Sequence, residues 1–197
     1  MLRRYRMFCL CFVGLGVATL VRAVDYRGGM VTPPLAKPSF TLTDTAGVAF
    51  DFRARTEGYV TLLFFGYTHC PDVCPMQMAI IAQALRAIPA EQAKQFKVVF
   101  VTTDPTRDTP AVLRAWLDHF DKRFIGLTGS NQAVSAAQAA ANLNPVERSA
   151  DAGEHSYLSH TAWVFAYTRD NLAHVIYPVG IKKDDWIHDL PLLAREK

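Results

Sequence analysis

The spacing of apolar positions changes from segment to segment along this chain, and each change marks an element. Residues 7–21 are an unbroken apolar run behind Arg3, Arg4 and Arg6, followed by Arg22 and Ala23. Residues 24–38 interrupt it with Gly28, Gly29 and three prolines, which reads as a linker. From Ser39 to Phe52, Phe40 and Leu42 alternate with polar neighbours, the pattern breaks near Ala46-Gly47, and Val48, Phe50 and Phe52 resume it. That predicts a β-hairpin. Residues 59–67 and 96–103 are nearly continuous apolar runs with β-branched and aromatic side chains, as expected of strands covered on both faces. Met78, Ile81, Ala82, Leu85 and Ile88 recur at helical spacing and predict a helix over 75–88.

The second half continues in the same manner. Val112, Leu113, Trp116, Leu117 and Phe120 mark another helix face, with Asp108 or Thr109 as N-cap and Pro110 in the first turn. Residues 124–129 predict a short strand, and Ser130 caps an Ala-rich helix ending near Asn142. Residues 143–157 are polar and turn-rich, which predicts an inserted loop or hairpin. Residues 160–168 and 172–180 read as two strands joined at Arg169-Asp170-Asn171, and the tail from Asp184 as a helix that Pro191 kinks or ends early. The fold class is therefore α/β: one mixed sheet flanked by helices, with an N-terminal β-hairpin.

Length and charge narrow the picture. At 197 residues the chain suits one domain with a real core, expected over 39–197. The net charge of +3 comes from the N-terminus: residues 1–23 hold four Arg and no acid, which leaves 17 basic against 18 acidic residues elsewhere. Nucleic acid is thereby excluded as the expected partner. The apolar run is 15 residues long, against roughly 20 for a spanning helix. Residues 1–23 are thus expected to be a signal peptide or, uncut, an N-terminal membrane anchor with its Arg cluster on the cytoplasmic side. Cys9 and Cys11 lie within that run as small hydrophobes. The exported domain keeps Cys70 and Cys74, in a compartment where disulfides persist.

Those two cysteines stand in GYTHCPDVCPMQM, residues 66–78, each followed by a proline. Pro71 and Pro75 push the cysteines towards extended backbone on a turn leading into a helix, and the helix N-terminus favours thiolates there. Three uses compete. A redox dithiol is one, although the usual motif has two intervening residues and this one has three. A soft metal is the second: two thiolates suit Cu(I), and a third nitrogen ligand extends the site to Cu(II). Zinc calls for four ligands, commonly with a second cysteine pair. A fixed disulfide is the third, but so short a loop restrains little of the unfolded chain. Of the six histidines, His119, His174 and His188 read as packed or surface residues and His155 as solvated in the polar loop. His69 adjoins Cys70 and ranks second as a ligand, while His160 opens a strand in phase with Ala162 and Val164.

GYTHCPDVCPMQM, then TTDPTRDTP at 102–110, GLTGS at 126–130 and YLSHTAWVF at 157–165, resembles the SCO/SenC proteins in order and spacing, from about Phe40 to Leu190. The resemblance implies a thioredoxin-like fold and one copper, Cu(I) or Cu(II), per chain, held by Cys70, Cys74 and His160. It implies a copper chaperone rather than an enzyme, located in the bacterial periplasm and tethered to the inner membrane by residues 7–21 if the leader is retained. Its partners would be the copper-bearing subunit of cytochrome c oxidase, another copper chaperone or a thiol reductant. Thiol–disulfide oxidoreduction on exported cysteines is the alternative role. Asp72, Asp104 and His69 are the candidates for supporting the ligands. Ser159 stands where many members carry an Asp before the histidine.

Overall fold

The computed structural model describes residues 25–144 and 162–196. In chain order these form β1 (Gly29–Ala36), β2 (Thr41–Asp44), β3 (Ala49–Asp51), α1 (Phe52–Arg55), β4 (Val60–Gly66), α2 (Val73–Ala87), α3 (Ala90–Ala93), β5 (Phe96–Thr102), α4 (Pro110–Asp118), β6 (Ile125–Thr128), α5 (Asn131–Ala140), β7 (Val164–Tyr167), β8 (Leu172–Tyr177) and α6 (Lys183–Leu193). The strands make one sheet in the order β1-β8-β7-β4-β5-β6-β2-β3. Neighbours β4, β5 and β6 are parallel, whereas β7 pairs antiparallel with β4 and β8 antiparallel with β7. The expected mixed sheet with its β2–β3 hairpin is present. The inserted segment expected at 143–157 falls, beyond Asn144, outside the described residues, as do residues 1–23.

The two continuous apolar runs become the central strands β4 and β5, and their side chains divide between two cores. Leu62, Phe64, Val98 and Phe100 face α2, α4 and α6, packing with Met78, Ile81, Leu113, Leu117, Trp186 and Leu190. Leu63, Phe65, Val99 and Val101 face the other way, onto Phe52, Val134, Ala137, Phe165 and Tyr167. A strand buried on both faces needs no alternation, because successive side chains enter different cores. Both expected caps are in place: the Thr109 hydroxyl accepts from the Val112 N–H, and the Ser130 hydroxyl from the Ala133 N–H.

Two expectations about the ends of the domain are corrected. Residues 24–38 read as linker, yet Gly29–Ala36 form β1, paired antiparallel with β8. Pro33 and Pro34 interrupt the pairing, whose register shifts between Met30 and Leu35. Prolines are tolerated there because β1 is an edge strand. Pro191 was expected to end the last helix early, but α6 runs through it to Leu193. A proline removes one N–H from the helix ladder. In this last turn the loss falls on one carbonyl while Leu190 and Leu193, both fully buried, hold the turn against the core.

Asp189 on α6 ties the N-terminal end to this layer. Its fully buried carboxylate accepts from the backbone N–H groups of Arg27 (2.9 Å) and Gly28 (3.1 Å) and from the Tyr177 hydroxyl (2.9 Å). Asp189→Ala leaves the buried Tyr177 hydroxyl and the Arg27 and Gly28 N–H groups without this acceptor and is expected to lower urea-unfolding stability by about 2–3 kcal/mol. Amide exchange in that variant should accelerate first at Arg27 and Gly28.

Candidate metal centre

Cys70 and Cys74 lie where β4 ends and α2 begins, at the carboxyl end of a central strand. The helix starts at Val73, two residues earlier than its apolar spacing predicts, so Cys74 sits in the first turn and Cys70 on the loop before it. Asp72, the N-cap, makes no side-chain capping bond. The Cys70 sulfur instead accepts the backbone N–H of Cys74 at 3.4 Å, one of the donors that a helix start leaves without an internal partner. Cys70 is half-buried and Cys74 fully buried.

The absence of a side chain at Gly66 allows that packing. A β-carbon there would lie 2.9 Å from the Cys74 sulfur, 2.8 Å from the Phe64 ring and 3.1 Å from the Phe100 ring. The sulfur thus rests on the last backbone unit of β4, flanked by two aromatic rings. Burial pushes the Cys74 thiol far above the ordinary range, which outweighs the backbone N–H of Tyr67 directed at it. The Cys70 sulfur and the Asp108 carboxylate act in the same upward direction. The sequence-based expectation of easily lost protons is reversed at Cys74: removing the sulfur from water costs the anion more than the helix end returns.

The sequence offers Asp108 only as a helix cap. Thr109 takes that role, and Asp108 turns inward as a fully buried carboxylate. It accepts from the Thr68 N–H (2.9 Å), the Thr68 hydroxyl (2.5 Å) and the Thr102 hydroxyl (2.6 Å). The last residue of β5 is thereby pinned to the loop that carries Cys70. Thr102 also accepts the Asp104 N–H at 2.9 Å, so one hydroxyl joins both aspartates of the 104–108 loop.

The supporting candidates occupy different places. His69 is half-exposed, with Nδ1 3.1 Å from the Thr68 hydroxyl and 3.6 Å from Asp108. Asp104 is buried, and its carboxylate accepts from Arg107. Asp72 is exposed at the helix start. His160 lies outside the described residues, as does His155. Among the described residues no three His, Cys, Asp or Glu side chains gather as a metal cluster. His119 contacts the Trp116 carbonyl, His174 Asp170 and His188 Asp189, the packed or surface roles expected of them.

The donor set suits a soft ion: two sulfurs on one turn, one half-buried and one fully buried against the Phe64 and Phe100 rings. Ligation by Cys74 requires loss of its proton, so metal uptake should weaken as pH falls. In the reduced, metal-free protein at neutral pH, iodoacetamide is expected to label Cys70 well before Cys74, read by peptide mass spectrometry. Comparable labelling rates would contradict the buried placement of Cys74. Asp108→Ala is expected to cost about 2–3 kcal/mol and Thr68→Val about 1 kcal/mol of unfolding free energy, measured by chemical denaturation.

Comparison with known proteins extends this geometry. The SCO1/SenC family profile matches residues 30–194. The solution structure of apo Sco1 from Thermus thermophilus superposes with a TM-score of 0.76 at 30% identity, covering 86% of this chain and 97% of that one. Bradyrhizobium japonicum ScoI with copper bound superposes with a TM-score of 0.70 at 30% identity, covering 81% and 99%. The bovine mitochondrial SCO2 homologue is 29% identical over 178 residues, 86% of this chain and 66% of its own length. The chain spans about half to two thirds of the length of the first curated relatives it matches.

Proposed function

Because the chain belongs to the SCO1/SenC family, we propose that it binds one copper ion through the thiolates of Cys70 and Cys74, with His160 as third ligand, and passes it to the binuclear copper centre of cytochrome c oxidase. The observation that carries this reading is the pair of sulfurs on the β4–α2 turn, in a chain whose fold matches that of a copper-bound ScoI at 30% identity. Chain connectivity supports His160. Val164 pairs with Phe64, two residues before the end of β4, and His160 is four residues from Val164, a span of at most about 14 Å.

Copper is the cargo in this reading. A three-coordinate S₂N site suits Cu(I), and release proceeds by ligand exchange: an incoming cysteine thiolate bonds to copper as one of this chain's thiolates leaves. The half-buried Cys70 is the ligand placed to leave first. The acceptor is the copper-bearing subunit of the oxidase, and the supplier another copper chaperone. The site belongs to the outer face of a bacterial inner membrane, with residues 7–21 as tether where the leader is kept. Among the described residues no helix is long and apolar enough to cross a membrane.

A second reading shares the same sulfurs. The contact between the Cys70 sulfur and the Cys74 N–H brings the two side chains to one turn, which also favours a dithiol that reduces exported target cysteines and is itself restored by a thiol reductant. A Cu(I) titration of the reduced protein under anaerobic conditions separates them. About one tightly held copper in the wild type, lost in His160→Ala, is the expected result. Failure of the wild type to retain copper, or equal retention without His160, overturns the copper site. Disulfide reduction that needs both cysteines and survives His160→Ala would favour the oxidoreductase.

A further inference from the structure

Gln77 lies one helical turn after Cys74 on the inward face of α2. It is fully buried, and neither its amide nitrogen nor its amide oxygen has a hydrogen-bond partner. Its companions on that face, Cys74, Met78, Ile81, Ala84 and Leu85, offer no strong polar group. A buried amide without partners costs about 1–3 kcal/mol relative to a satisfied one. A leucine of similar size would fill the position without that penalty, so packing alone does not account for an amide here.

Two features direct the amide towards Cys74. Side chains of an α-helix lean towards its N-terminus, over the residues three and four positions earlier. For Gln77 those are Cys74 and Val73. Positions three apart also have β-carbons about 5–6 Å from one another, a gap that the remaining bonds of a glutamine can close. The Cys74 sulfur is as dry as the amide. Once copper displaces its proton, the sulfur becomes a buried anion with an added demand for hydrogen-bond donors.

We propose that Gln77 is a supporting donor to the copper site, its amide N–H donating to the metal-bound sulfur of Cys74. The inference rests on the copper reading above. A hydrogen bond to a ligating thiolate draws electron density from the sulfur, and such bonds tune thiolate–metal centres. The amide is left unpaired in the metal-free protein and is paired when copper is bound, so stability without metal is exchanged for affinity with it.

The test uses the full chain, reduced, as wild type, Gln77→Leu and Gln77→Met, the unbranched methionine guarding against a packing artefact of leucine. Three readouts are taken: metal-free Tm, Cu(I) affinity by competition with a chromogenic chelator, and the sulfur-to-Cu(II) charge-transfer band. The expected result is a metal-free Tm equal to or above wild type, with copper affinity lower by about 10–100-fold. The charge-transfer band should move to longer wavelength, because a sulfur without its donor gives up an electron more readily. Unchanged affinity and an unchanged band in both variants would overturn the proposal. A metal-free Tm that falls in both would also overturn it, since the amide would then already be satisfied without copper. Should the wild type itself hold no copper, the functional reading fails first, an outcome distinct from a wild type and variants that bind equally well.

Discussion

The arrangement depends on how closely the start of α2 approaches the end of β4. With a β-carbon at Gly66 2.9 Å from the Cys74 sulfur, the helix would have to retreat from the sheet and Cys74 would lose its floor. Close approach at this point buries one sulfur while its partner stays half-buried on the preceding loop. Two thiols of opposite character, four residues apart, follow from a single missing side chain. The buried one holds its proton until a metal or an oxidant removes it; the outer one meets whatever arrives from solution.

Around that contact the molecule is braced by buried carboxylates. Asp108 joins the end of β5 to the loop of Cys70, and Asp189 joins α6 and β8 to the backbone before β1. Each answers several donors at once, which is how a buried charge avoids being a liability. Asp104 sits on the same loop as Asp108 but closes on Arg107. Neighbouring acids in one short motif therefore have separate tasks, one holding its own loop and the other holding the cysteine loop.

The sequence carried the α/β architecture because β4, β5 and α2 are long and their apolar patterns distinct. Cys70 and Cys74 were legible for a related reason: a cysteine pair with two prolines between a buried strand and a helix has few bland explanations. Other parts were hidden for identifiable reasons. The residues of β1 look like a linker because Gly29, Pro33 and Pro34 are poor strand formers, and the strand exists by pairing with β8. The two possible caps, Asp108 and Thr109, are equivalent in sequence, and only the packed loop shows which of them turns inward. The Cys74 thiol was expected to be acidic from its place at a helix start, an effect that depends on remaining wet. Gln77 stands four residues before Ile81, on the apolar face that the spacing marks, but the spacing does not show that its amide is buried without a partner.

The prolines of β1 have a consequence beyond their own strand. β1 forms one border of the sheet, and the opposite border, β3, is only three residues long. An open border is a template on which a neighbouring molecule can add its own strand. Pro33 and Pro34 offer no backbone N–H to such a visitor, and the shifted register around them breaks the straight line it would need. Strand addition from a neighbouring copy is thereby disfavoured at this border.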